Sequence, residues 1–140
     1  MKALMERETV TLKARQVMQR PVVATTTRAS VRDVASQLVA NAFSGMPVSE
    51  RDGTVVGIIT EADILKALVE GRTLETLTAA DIMSTTPKTV DIETPIDEVM
   101  KLLQEQHILR VPVTDRGKLT GIISRSDIIR AVLEPEFMAF

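Results

Sequence analysis

The chain says the same thing twice, and that duplication limits its fold more than any other feature. Gly57-Ile58-Ile59-Thr60-Glu61-Ala62-Asp63-Ile64-Leu65 returns 64 residues later as Gly121-Ile122-Ile123-Ser124-Arg125-Ser126-Asp127-Ile128-Ile129. Both copies read glycine, two isoleucines, a hydroxyl residue, two variable positions and an aspartate. The match extends along the chain. Ala14-Arg15-Gln16-Val17-Met18 answers Ala79-Ala80-Asp81-Ile82-Met83, and Met46-Pro47-Val48 answers Val111-Pro112-Val113. Length differences fall where loops are expected. Two copies of so long a period predict duplication of a small domain rather than a solenoid, which needs at least three units.

Each copy predicts the order β-α-β-β-α. A short strand opens it, over 22–25 in the first copy and 89–92 in the second. A helix follows, announced by the capping box Ser30-Val31-Arg32-Asp33 in one copy and by Thr94-Pro95-Ile96-Asp97, with Pro at the first helical position, in the other. Val31, Val34, Ala35, Leu38, Val39 and Ala42 keep helical spacing, as do Ile96, Val99, Met100 and Leu103. A hairpin comes next, turning at Asp52-Gly53 or around Gly117. Pro47 and Pro112 are expected at a strand start or edge, where no ladder N–H is missed. A second helix closes each copy, over 61–70 with Gly71 as its stop, and over 125–133. The first dozen residues read as helical or frayed, and the tail 134–140 is loosely specified.

A chain of 140 residues forms one ordinary domain or two small halves. Halves of roughly 65 residues are marginal alone, so the two are expected to pack on each other. With no Trp or Tyr and three Phe, the core is expected to be built from Val, Ile, Leu, Ala and Met, and the near absence of aromatics argues against base-stacking platforms. A net charge of −2 with interspersed signs argues against nucleic acid as a partner. No apolar run approaches a membrane span. The absence of Cys removes thiol catalysis and fits a reducing compartment, so a cytoplasmic location is expected. No acid–base pair, His relay or metal-ligand cluster stands out, so the chain is expected to be no enzyme and to hold no metal. His107, the lone histidine, sits near a helix end and is expected to lie at or near the surface.

Thr60-Glu-Ala-Asp63 and Ser124-Arg-Ser-Asp127 admit two local readings. Each is a capping box that satisfies orphan N–H groups at a helix start. Each is also a hydroxyl and a carboxylate at a strand-to-helix junction, a pattern suited to a ligand.

The Val-Met and Ile-Met openings, the two hydrophobic-Pro-Val strands and the two Gly-x-x-[Ser/Thr]-x-x-Asp junctions together resemble a tandem pair of CBS domains, a Bateman module standing alone. The resemblance covers residues 14 to 133. It implies a mixed α/β (α+β) fold of two β-α-β-β-α repeats packed sheet to sheet about a pseudo-twofold axis. The implied division is an N-terminal extension 1–13, repeat one 14–70, a linker 71–78, repeat two 79–133 and a tail 134–140. It further implies two sites for an adenosine-containing ligand, AMP, ADP, ATP or S-adenosylmethionine, with no obligatory cofactor. Aspartate takes the ribose hydroxyls, since a carboxylate accepts two O–H bonds, and the helix N-terminus suits phosphate.

Carried over residue by residue, site A takes Ser124, Arg125, Ser126 and Asp127 with Ile122. Its adenine wall comes from Val23, Phe43, Ser44 and Met46. Site B takes Ile58, Thr60 and Asp63 with Thr89, Ile108, Leu109, Arg110 and Val111. Arg125 at site A stands where Glu61 stands at site B; if both face the ligand, Arg125 favours a polyphosphate and Glu61 opposes it, so site A is expected to be the better nucleotide site. A homodimer is implied, with an unidentified target protein as a further partner. The function expected is a regulatory sensor. The alternative is a ligand-independent dimeric scaffold for a partner protein.

Overall fold

The two hydrophobic-Pro-Val segments become the first strands of two hairpins. The computed structural model describes residues 12–133; the expectations for the first dozen residues, Leu12 apart, and for the tail lie outside them. β1 (Gly45–Ser49) pairs antiparallel with β2 (Val55–Thr60). β3 (Val90–Asp91) runs parallel to β4 (Arg110–Asp115), which pairs antiparallel with β5 (Lys118–Ser124). The second hairpin turns through Arg116 and Gly117, both left-handed at φ 53° and 80°. Two such residues match the twist of the flanking strands.

Both prolines lie inside their strands rather than at a start, Pro47 on an edge strand as expected and Pro112 on the central strand of its sheet, and the structure shows why this is tolerated. Pro47 faces Ile58 and Pro112 faces Ile122. Ile58 exchanges both backbone hydrogen bonds with Ser84, and Ile122 exchanges both with Gln19. The isoleucine N–H groups therefore point away from the proline strands. Each proline occupies a non-hydrogen-bonded pair, so its missing N–H costs the hairpin nothing.

Among the described residues the helices are α1 (Ala14–Val17), α2 (Val31–Asn41), α3 (Glu61–Val69), α4 (Ala79–Ile82), α5 (Ile96–Glu105) and α6 (Arg125–Leu133), with a 3-10 turn at Leu74–Thr76. α3 ends in a Schellman motif. Arg72 N–H donates to the Ala67 carbonyl and Gly71 N–H to that of Leu68, with Gly71 at φ 79°. His107 performs the same duty after α5 at φ 53°, its side chain exposed as expected.

Three local expectations are corrected. The strand over 22–25 does not form; Thr25 makes only an isolated parallel bridge to Val48, and the strand over 89–92 shrinks to β3. The Ser30 box closes on one side only, Arg32 N–H donating to Ser30 Oγ at 3.2 Å with no return bond from Asp33. Pro95 rather than Thr94 is the N-cap of α5, so the helix starts one residue later than expected, since the Thr94 carbonyl is already given to Ala14 N–H.

The chain divides into two compact units that do not follow the sequence repeat. One comprises 12–22 with 88–133, the other 23–87. The opening of each copy thus packs with the body of the other. In the first unit Leu12, Ala14 and Val17 join Val90, Ile96, Val99, Leu103, Val111, Val113 and Ile123 in one core. In the second, Leu77 and Ala79 join Val31, Val34, Leu38, Met46, Val48 and Ile59. The attachments are equivalent: Ala14 N–H donates to the Thr94 carbonyl, Ala79 N–H to that of Ala29, both at 2.8 Å. In the first unit Glu93 also holds Lys13 and Arg15 at 3.0 and 2.9 Å.

The repeated glycines serve this exchange. A Cβ on Gly57 would stand 2.5 Å from Met83 Sδ and 2.7 Å from the Ser84 carbonyl oxygen. One on Gly121 would meet Met18 Sδ at 2.6 Å. Only glycine lets the borrowed opening lie flat on β2 or β5.

Candidate functional site

Each unit carries one strand-to-helix junction with a hydroxyl and a carboxylate. In the second unit β2 ends at Thr60, the N-cap of α3, and Asp63 is its third helical residue. Asp63 Oδ2 accepts from Thr60 N–H and from Thr60 Oγ1, both at 2.9 Å, while Asp63 N–H donates to Thr60 Oγ1 at 3.2 Å. This is a complete capping box. Asp63 is half-buried, and its Oδ1 has no hydrogen-bond partner among the described residues. Glu61 and Lys66, its neighbours on α3, are exposed.

The first unit builds the same box from Ser124 and Asp127. Asp127 Oδ2 accepts from Ser124 N–H at 2.8 Å and Ser124 Oγ at 2.9 Å, and Ser126 Oγ lies 2.9 Å from Ser124 Oγ. The difference is at Oδ1, which accepts from Gln19 Nε2 at 3.0 Å and from Arg130 Nη1 at 3.3 Å. Asp127 is 4% exposed, and it is one of three buried polar or charged residues among those described. Burial of this carboxylate is tolerable because it is paired and hydrogen-bonded on both oxygens.

Backbone bonds tie each junction to the start of its own hairpin. Glu61 N–H donates to the Ser44 carbonyl at 2.9 Å, and Arg125 N–H to the Leu109 carbonyl at 3.2 Å. Within the second unit, then, Thr60 and Asp63 sit beside Phe43 and Ser44. Within the first, Ser124 and Asp127 sit beside Ile108 and Leu109. Site A as expected from sequence draws Val23, Phe43, Ser44 and Met46 from the second unit and Ile122, Ser124, Arg125, Ser126 and Asp127 from the first. Site B draws Ile58, Thr60 and Asp63 from the second and Thr89, Ile108, Leu109, Arg110 and Val111 from the first.

Two wall residues differ from the rest. Met46 and Val111 are fully buried in the cores of their units, facing Ile59 and Ile123 across the hairpins. Strand alternation turns their side chains inward, so only their backbone is left to touch a ligand. The other wall residues fare better: Val23, Leu109 and Thr89 are exposed, and Phe43, Ser44, Ile58, Ile108, Arg110 and Ile122 half-buried. Arg125 is exposed, but its Nε donates to the Ile108 carbonyl at 3.2 Å. Gln19 and Arg130 were not singled out from the sequence. The clue available was position: Gln19 directly follows the Val-Met opening, and Arg130 lies one helical turn beyond Asp127.

Two clefts are lined mainly by other residues. One of about 500 Å³ is lined by α5 and α6, with Met100, Leu103, His107, Arg125 and Ile129. Another, of about 790 Å³, lies among Thr26, Thr27, Arg28, Ser49 and Arg51. Neither contains the hydroxyl and carboxylate of a junction. Among the described residues no helix is long and apolar enough to cross a membrane, and no group of three or more His, Cys, Asp or Glu side chains is placed to hold a metal ion.

Comparison with known proteins agrees with this architecture. The family model of the CBS domain matches residues 14–70 and 79–134. The chain is 30% identical over 135 residues to the A-adding tRNA nucleotidyltransferase of Aquifex aeolicus, covering 95% of this chain and 16% of that protein. In two further curated relatives it spans 63% and 57% of their length, so the chain corresponds to less than two thirds of these relatives. Among solved structures it is similar to the CBS domain protein PAE2072 from Pyrobaculum aerophilum complexed with AMP. That match has a TM-score of 0.78 and 27% identity, over 91% of this chain and 100% of that one. It is also similar to the CBS domain pair of protein MJ0100 in complex with 5′-methylthioadenosine and S-adenosyl-L-methionine. There the TM-score is 0.74 and the identity 28%, over 84% and 93% of the two chains.

Proposed function

We propose, from the premise that this chain belongs to the CBS-domain family, that it is a regulatory module binding an adenosine-containing ligand at a Gly-x-x-[Thr/Ser]-x-x-Asp junction. The observation that carries the reading is the Thr60–Asp63 junction. There a carboxylate oxygen, held in place by a capping box, is left open at a helix N-terminus. A vicinal diol needs two acceptor positions, and an ionised carboxylate oxygen supplies them. The helix N-terminus beside it favours a phosphate or carboxylate group on the same ligand. The AMP and S-adenosyl-L-methionine complexes of similar proteins support that ligand class. Binding becomes a signal only when the ligand prefers one of two conformations.

Exposed apolar side chains on the second helix of each copy support a homodimer. Leu65 and Val69 on α3 and Ile129 and Leu133 on α6 leave much of their surface to solvent, Val69 80% of it. Burying these side chains against a second copy removes roughly 25 cal/mol per Å² of unfavourable hydration. The absence of Cys supports action in the reducing cytoplasm.

Calorimetric titration with AMP, ADP, ATP and S-adenosylmethionine tests the ligand class. Binding of at least one, weakened by Asp63→Asn, is expected. A folded protein that binds none of the four overturns the reading in favour of the scaffold.

A further inference from the structure

The two junctions are not equivalent, and the structure assigns the ligand's diol to Asp63 rather than to Asp127. This rests on the adenosine reading above and deepens it. An ionised carboxylate has about four lone-pair positions. Asp127 has filled its four: Ser124 N–H and Oγ on Oδ2, and Gln19 Nε2 and Arg130 Nη1 on Oδ1. Asp63 has filled the positions on Oδ2 alone, with Thr60 N–H and Oγ1. The open Oδ1 offers the two acceptor positions a ribose diol requires.

The cause lies in two residues at equivalent positions. Gln19 exchanges backbone bonds with Ile122, as Ser84 does with Ile58. The Gln19 side chain spans the distance to Asp127, whereas the serine side chain at position 84 is two bonds shorter and makes no bond to Asp63. Arg130, three residues beyond Asp127, becomes Lys66, three beyond Asp63, which forms no ion pair with it among the described residues. Arg130 thus brings one guanidinium N–H to Asp127 Oδ1 at 3.3 Å, a contact that Asp63 lacks on α3. Gln19 and Arg130 are therefore positioning residues that close the Ser124–Asp127 junction to a diol. A ligand there must first displace two hydrogen bonds to a buried carboxylate. The order expected from Arg125 is thereby reversed: the neighbouring Asp127 is filled, and Arg125 already gives its Nε–H to the Ile108 carbonyl.

The test is calorimetry with AMP on the full chain and on variants shown to be folded by circular dichroism. The wild type is expected to bind one AMP per chain. Asp63→Asn should weaken it about tenfold or more, the scale of one charge-assisted hydrogen bond. Asp127→Asn should leave that site within about threefold, a shift of under 1 kcal/mol. The double variant Gln19→Ser, Arg130→Lys transplants the open junction's residues and should raise the stoichiometry from one to two. Two equal wild-type sites, loss of binding in Asp127→Asn with retention in Asp63→Asn, or unchanged stoichiometry in the double variant would each overturn this assignment and leave the adenosine reading standing. If the folded wild type binds none of AMP, ADP, ATP or S-adenosylmethionine, both fail together.

Discussion

Gly57→Ala tests whether the repeated glycine exists for packing. The added methyl would stand 2.7 Å from the Ser84 carbonyl oxygen, about 0.7 Å inside the 3.4 Å where ordinary contact begins. Met83 Sδ at 2.5 Å can swing aside, since it ends a flexible side chain. The Ser84 carbonyl cannot. It accepts from Ile58 N–H at 3.1 Å while Ser84 N–H donates back to Ile58 at 2.8 Å. Retreat of the carbonyl loosens both bonds, at about 1 kcal/mol each. Residual overpacking adds about 1 kcal/mol. Restricting the unfolded chain returns about 0.5 to 1 kcal/mol. The net loss is about 2 kcal/mol, or roughly 4 to 8 °C in Tm for a chain of this size.

Gly121→Ala should cost less, because its nearest contacts are Met18 side-chain atoms and the Gln19 carbonyl oxygen is farther, at 3.0 Å. Adding Met18→Ala should therefore relieve much of the Gly121→Ala clash, while Met83→Ala relieves little of the one at Gly57. Differential scanning calorimetry reads all of these. A Gly57→Ala protein that melts at or above the wild type would refute the packing argument. So would a larger cost at Gly71, where an added Cβ meets nothing within 4 Å and only the left-handed backbone resists.

Thr60→Ala removes the α3 cap and should destabilise by about 1 kcal/mol, read as a lower denaturation midpoint with an unchanged urea slope; an unaltered midpoint would deny the cap its role. Glu93 sits between Lys13 and Arg15, whose hydrogen bonds, Lys13's first, hold its carboxyl below the usual glutamate range. A depressed folded pKa means stability present above the unfolded value and lost as pH falls through the folded one. Glu93→Gln should thus lower Tm at neutral pH and low salt, with the gap to wild type closing in acid; a gap constant with pH would contradict the linkage. The proposed homodimer is expected to sediment as a dimer in the wild type and as a monomer with Val69→Glu combined with Leu133→Glu; a monomeric wild type would refute the dimer, and an unchanged dimer would place the interface elsewhere.

Much of this protein is written locally. Alternation of apolar residues around Asp52-Gly53 and Gly117 sets both hairpins, because strand period and turn chemistry act over a few residues. The Thr60–Asp63 and Ser124–Asp127 boxes are equally local, since the partners are three residues apart. The repeat itself announces two equivalent units, and with them two candidate junctions.

What the sequence left open is decided by contacts between distant residues. Read in order, the chain suggests that each copy folds on itself. The tertiary structure instead seats the 12–22 opening on the second copy and the end of 23–87 on the first, as the two cores record. That exchange explains the repeated glycine, which looks from sequence like part of a ligand motif and proves to be room for a methionine and a backbone bridge. It also brings Gln19 to Asp127 across 108 residues. Sequence alone makes Ser-Arg-Ser-Asp the richer site, because Arg125 is visible beside it. Only the folded chain shows Arg125 engaged with a carbonyl and Asp127 saturated. Hydrogen-bond capacity is spent in space, and no local pattern records which acceptors have already been filled.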